Sequence, residues 1–93
     1  MPYDLELPKR WKKAGWKVKI QENETFEDPH VTIMRGLLRF RLGLRDGRFL
    51  EPPGGSWDAV PDDVKAAILA HWAELRAAWD AKYPLNPIGG QHD

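Results

Sequence analysis

The chain has 93 residues, room for one domain and one core, and 42% of them are apolar, including five tryptophans, enough for a packed interior. It has no cysteine, which excludes disulfides, thiolate zinc sites and a cysteine nucleophile. The formal net charge is zero, yet residues 1–48 carry eleven Lys or Arg against seven acids and residues 49–93 carry three against seven, a dipolar distribution suited to presenting a basic surface.

No apolar run approaches the roughly 18 residues of a membrane span. Met1 to Glu6 lacks the basic-then-apolar pattern of a signal peptide. A soluble, cytoplasmic protein with no membrane partner is expected.

Pro8 opens a short basic segment, Lys9 to Ala14, that ends at Gly15, which predicts one or two turns of helix. From Trp16 the pattern alternates, with Trp16, Val18 and Ile20 on one face and Lys17, Lys19 and Gln21 on the other, as in a half-buried strand. Residues 23–29 are polar and acidic and read as a loop. A second strand is predicted over His30 to Met34, a turn at Arg35-Gly36, and a third strand over Leu37 to Arg45. Asp46-Gly47 suits a two-residue hairpin turn that needs positive φ. A short fourth strand, Arg48 to Glu51, is stopped by Pro52 and Pro53.

After the flexible Gly54-Gly55, Pro61, Asp62 and Asp63 open a long helix, since proline suits its start and acids oppose the positive end of its dipole. Val64, Ile68, Trp72, Leu75 and Trp79 form one apolar stripe along it. Pro84 ends it. The predicted fold is α+β: a short N-terminal helix, a four-stranded antiparallel meander, and a long C-terminal helix packed on one sheet face. The domain is expected over residues 1–84, with 85–93 a flexible tail.

Two-residue turns at Arg35-Gly36 and Asp46-Gly47 would set His30 opposite Arg41 and Arg45 opposite Arg48. One face then collects Trp16, Val18, Ile20, Val31, Ile33, Leu38, Phe40, Leu42, Leu44 and Phe49 as the expected core side. The other collects Lys17, Lys19, His30, Thr32, Arg39, Arg41, Arg45 and Arg48 and carries no acid. Arg45 facing Arg48 costs repulsion that an anionic partner would relieve. Met34, Leu37 and Leu50 share this face and point instead to a covering protein or a homodimer.

A histidine beside arginines is suited to cleaving an RNA phosphodiester: imidazole moves the proton and guanidinium stabilises the transition-state charge. It is equally suited to binding alone, and the residues leave open whether the protein is an enzyme. His71 lies at the edge of the apolar stripe and His92 in the tail. No histidine pair stands at a metal-ligand spacing, so no metal is expected. Gly54-Gly55 lacks phosphate-loop and dinucleotide-binding spacings, so no cofactor is expected either. Trp16, Trp72 and Trp79 are read as core, and Trp11 and Trp57 as covers for its ends.

The run from Lys12 through Gly15 and Trp16 into an alternating strand, followed by a strand that begins at a histidine, resembles the HicA family of toxin–antitoxin ribonucleases over roughly residues 8–80. In place of that family's glycine-serine-histidine stand Asp28, Pro29 and His30. The resemblance implies a double-stranded-RNA-binding-like fold, an RNA partner, and His30 as the catalytic histidine. Asp28-Pro29-His30-Val31, the later hairpin, and His71, Trp72, Glu74, Leu75 and Trp79 are also similar to a family of short bacterial proteins of unknown function with a proline-histidine strand start. That likeness implies a bacterial or phage protein with a small protein partner. The expected functions are therefore a nucleic-acid-interacting module of toxin–antitoxin type with phosphate contacts from Lys17, Lys19, Arg39, Arg41, Arg45 and Arg48, or a non-catalytic interaction or dimerisation domain that uses Met34, Leu37 and Leu50.

Overall fold

A computed structural model describes residues 3–20, 28–51 and 55–88. Gln21 of the predicted first strand, residues 23–27 of the predicted 23–29 loop, the proline stop at 52–53 with Gly54, and the last five residues lie outside this set. In chain order the elements are β1 (Tyr3–Asp4), α1 (Lys9–Lys13), β2 (Trp16–Ile20), β3 (His30–Arg35), β4 (Leu38–Gly43), β5 (Phe49–Glu51), a 3₁₀ turn (Trp57–Ala59), α2 (Asp62–Ala70) and α3 (Trp72–Lys82). The fold is α+β, and its sheet is an antiparallel meander in the order β1-β2-β3-β4-β5.

The inner sheet face follows the alternation. Trp16, Val18, Ile20, Val31, Ile33, Phe40, Leu42 and Leu44 are all buried against Val64, Ile68, Leu75 and Trp79 of the helices. The core also takes in Leu5 and Leu7, because the N-terminal segment runs beside β2. There Tyr3 pairs with Ile20 and Asp4 with Lys19, and the Leu5 amide donates to the Val18 carbonyl over 2.9 Å. This extra strand covers what would otherwise be an open edge of β2.

The predicted long helix is interrupted at His71, where φ is −110° and ψ is 23°. The His71 amide reaches both the Ala67 and Ile68 carbonyls over 3.2 Å, and its ring Nδ1–H donates to the same Ala67 carbonyl over 2.9 Å. A side chain that competes for the backbone acceptor loosens the ladder at that point. The apolar stripe keeps its phase across the break, so α2 and α3 cover the sheet together.

Both predicted turns shift. The β3–β4 turn is Gly36-Leu37, with Arg35 opposite Leu38, Thr32 opposite Arg41 and His30 opposite Gly43. Gly36, at φ +59°, occupies the first central position of the turn, where positive φ is needed. The second hairpin closes between the Gly43 amide and the Arg48 carbonyl over 2.8 Å, leaving Leu44 to Gly47 as a four-residue loop. Leu44 is fully buried and its amide donates backwards to Pro29 over 2.9 Å, so it cannot continue the ladder toward β5. Beyond the loop Leu42 pairs with Phe49 and Arg41 with Glu51, with a register shift between them that makes Leu50 the extra residue of a bulge.

The expected flexible tail from Leu85 is packed as far as Ile88, which is buried in the core. Trp79 Nε1 donates to the Asn86 carbonyl over 2.8 Å, and the Ile88 amide donates to Asp80 over 2.8 Å. The packed unit therefore extends past residue 84.

Candidate functional site

Strand pairing arranges the outer face in rows. Lys19, Thr32 and Arg41 are cross-strand neighbours on β2, β3 and β4, and Lys17, Met34 and Arg39 form the next row. Four cations thus stand at the corners of a rectangle, two on β2 and two on β4. Adjacent strands lie about 4.8 Å apart, so the two cationic lanes are roughly 10 Å apart across β3. Between them lie Thr32, which is buried, and Met34, which is half-buried.

The expectation of an acid-free face is overturned at the rims. Asp4 stands opposite Lys19 with its carboxylate 3.7 Å from the ammonium, and Glu51 stands opposite Arg41 at 3.2 Å. These pairs are partly exposed and of small energetic value. Lys17 and Arg39 are exposed and have no ion pair among the described residues. Beside Lys17, a cleft of about 340 Å³ brings in Lys12, which is paired with Glu6 over 2.8 Å.

Arg45 and Arg48 lie apart from this rectangle, in and just after the β4–β5 loop. They do not face one another, so the inferred repulsion is absent. Arg48 is 3.9 Å from Asp46. Arg45 lies 3.7 Å from Asp28 and donates to the Ile88 and Pro87 carbonyls over 3.4 Å, which makes it a tie between the loop and the C-terminal segment.

His30 is opposite Gly43, not Arg41, and is only 1% exposed. Its ring lies 5.6 Å from that of Trp79, tilted by 48°, and Nδ1–H donates to the Asp28 carbonyl over 2.7 Å. As the first residue of β3 it turns its ring toward the helix layer instead of the outer face. In this position it fills the core margin and is not open to a phosphodiester.

Met34, Leu37 and Leu50 do not form one patch. Met34 is central, Leu37 is fully exposed at the β3–β4 turn, and Leu50 is partly exposed at the opposite end of the sheet, roughly 20 Å of strand away. Trp11 and Trp57 pack against the core margin as expected. Trp57 meets Phe49 edge-on at 5.2 Å and has the Lys65 ammonium 5.4 Å from its ring centre.

Two features of the site were missed by the sequence reading. The first is β1 and its Asp4, although Leu5 and Leu7 alternating with Asp4 and Glu6 is a period-two signal that could have found it. The second is the Thr32 hydroxyl, a buried polar atom without a hydrogen-bond partner, for which no sequence signal exists. Among the described residues, no group of three or more acids or histidines is placed to hold a metal ion. No known protein family, curated protein or solved structure matches the chain.

Proposed function

We propose that the outer face of the sheet binds the phosphate backbone of RNA, in a system of the toxin–antitoxin kind that the HicA resemblance implies. The observation that carries this reading is the rectangle of Lys17, Lys19, Arg39 and Arg41 around Thr32 and Met34. A two-fold axis in the plane of this face and through its centre would set cations over cations, which disfavours a homodimer formed there. An anionic chain meets no such penalty. Cleavage is not part of the proposal, because the His30 ring is buried beside Trp79.

Salt titration of binding to a labelled oligouridylate tests it. Affinity falling steeply and linearly on a log–log plot supports phosphate contacts; absent or salt-insensitive binding refutes them. A second reading, docking of a small protein partner, is favoured by Leu37 and Leu38, which are 101% and 51% exposed on adjacent positions of the hairpin. Binding of such a partner would be salt-insensitive and lost in Leu37→Asp.

A further inference from the structure

Between the β4–β5 loop and the helices lies a cleft of about 430 Å³, lined by Arg45, Asp46, Gly47, Trp57, Leu69 and Trp72. Both indoles are half-buried and Leu69 is 51% exposed, so a sizeable apolar surface faces the cleft and stays wet. A flat ring stacked there would recover the hydrophobic burial that this exposure forgoes. The volume falls in the range of small-molecule sites, and an aromatic lining with a few polar groups is their usual make-up. A second cleft, of about 410 Å³, shares Gly47 and Trp57 with the first and adds Arg48. Gly47 places no side chain between the two.

The charges around the clefts select the guest. Lys65, one turn before Leu69 on α2, holds its ammonium 5.4 Å from the centre of the Trp57 ring, so a cationic guest would meet like charge at the ring it needs. Asp46, the one acid among the described residues lining either cleft, already accepts from the Arg48 amide over 3.0 Å. The Arg48 side chain is 85% exposed and 3.9 Å from that carboxylate, an exposed pair of small value that a phosphate can displace. Arg45 is held by the C-terminal segment, which leaves Arg48 as the cation presented to an anion.

We infer that the cleft between Trp57 and Trp72 takes an unstacked base of single-stranded RNA, with the phosphate of that nucleotide on Arg48. This rests on the RNA-binding reading above and adds to it a site for a base, away from the cations of the outer face. A nucleotide carries a flat π-face and an anion a few bonds apart, and the two clefts set indoles beside a guanidinium in the same way. A phenylalanine side chain of a protein partner brings the ring without the anion. Stacking tolerates any base, so the cleft adds affinity for single strands and none for a duplex, whose bases stay stacked on one another.

The test follows the indole N–H signals of the full chain by NMR during titration with adenosine 5′-monophosphate, ribose 5-phosphate and a single-stranded oligoadenylate. The Trp11 and Trp79 indoles, bonded to Asp63 and Asn86, are internal controls. The mononucleotide and the oligoadenylate are expected to shift Trp57 and Trp72 but not the controls, and ribose 5-phosphate to shift neither pair. Arg48→Gln should weaken mononucleotide binding about three- to tenfold, the loss of a hydrogen bond to a charged group. Leu69→Glu places a longer, anionic side chain in the cleft and should weaken oligoadenylate binding at least about fivefold, the contribution of one stacked base. Ala70→Glu, with the same charge at the next exposed position, should stay within about twofold. If oligoadenylate binds with the expected salt dependence yet leaves Trp57 and Trp72 unmoved, or if the two glutamate variants weaken it equally, the cleft is refuted while the phosphate-binding reading stands. If the mononucleotide shifts the two indoles and the oligoadenylate does not, the assignment to RNA is overturned in favour of a free nucleotide. An acidic peptide containing phenylalanine that shifts them at lower concentration than the mononucleotide overturns it in favour of a protein partner. If no oligonucleotide binds, both readings fail together.

Discussion

Replacing both Lys17 and Arg39 by alanine removes the two corner cations that no described acid engages. For a single strand, each phosphate neutralised contributes about 0.7 to the slope of log affinity against log salt, so four corners give a slope near −2.8 and two give about −1.4. A fourfold rise in salt should then weaken the original protein about fifty-fold and the double variant only about sevenfold. Both side chains are exposed and make no ion pair among the described residues, so their removal should change folding stability by less than about 0.5 kcal/mol. Fluorescence anisotropy with a labelled oligouridylate reads the slopes, and urea unfolding checks the fold. An unchanged slope in a folded double variant would refute the assignment of this face.

Three further outcomes follow from the packing. His30→Ala should cost about 2–4 kcal/mol in urea unfolding, because it opens a void beside Trp79 and deprives the Asp28 carbonyl of a donor; RNA affinity of the folded fraction should not change, and a large loss of affinity would restore a role for the ring in the site. Trp79→Phe keeps the aromatic body but loses the bond to Asn86, with an expected cost of about 1–2 kcal/mol and faster amide exchange at Asn86 and Ile88; unaltered exchange there would mean that the C-terminal segment is held by other contacts. Gly47→Ala meets nothing within 4 Å, so its cost of about 1 kcal/mol comes from φ +75° alone, and a neutral thermal shift would contradict the four-residue loop.

The faces of the strands were legible because side-chain direction along a strand has period two. The predicted β3–β4 pairing is two residues off, with His30 set opposite Arg41 when it faces Gly43. An even error leaves every side chain on its proper face, which is why the core of Val18, Ile33, Phe40 and Leu42 was anticipated while the neighbours of individual residues were not. The turn signal misled for a local reason: Gly36 does supply the positive φ, but one position earlier in the turn. At the second hairpin Leu44 was assigned correctly to the core, and that same burial, with its amide bonded to Pro29, removes it from the β4–β5 ladder. His30 was misplaced because alternation weakens at a strand end, where a ring can rotate toward a large partner such as Trp79.

Local chemistry therefore settled what kind of elements this chain forms and which side of each is apolar, since proline, glycine and the two periodicities act over a few residues. Only the tertiary structure decided which cations are engaged. Lys19 meets Asp4 through a strand added at the edge, Arg41 meets Glu51 through a bulge, and Arg45 is drawn to Asp28 and the C-terminal segment. Each of these depends on chain segments brought together by register and edge pairing, and the periodicity of a single strand carries no trace of its partner's.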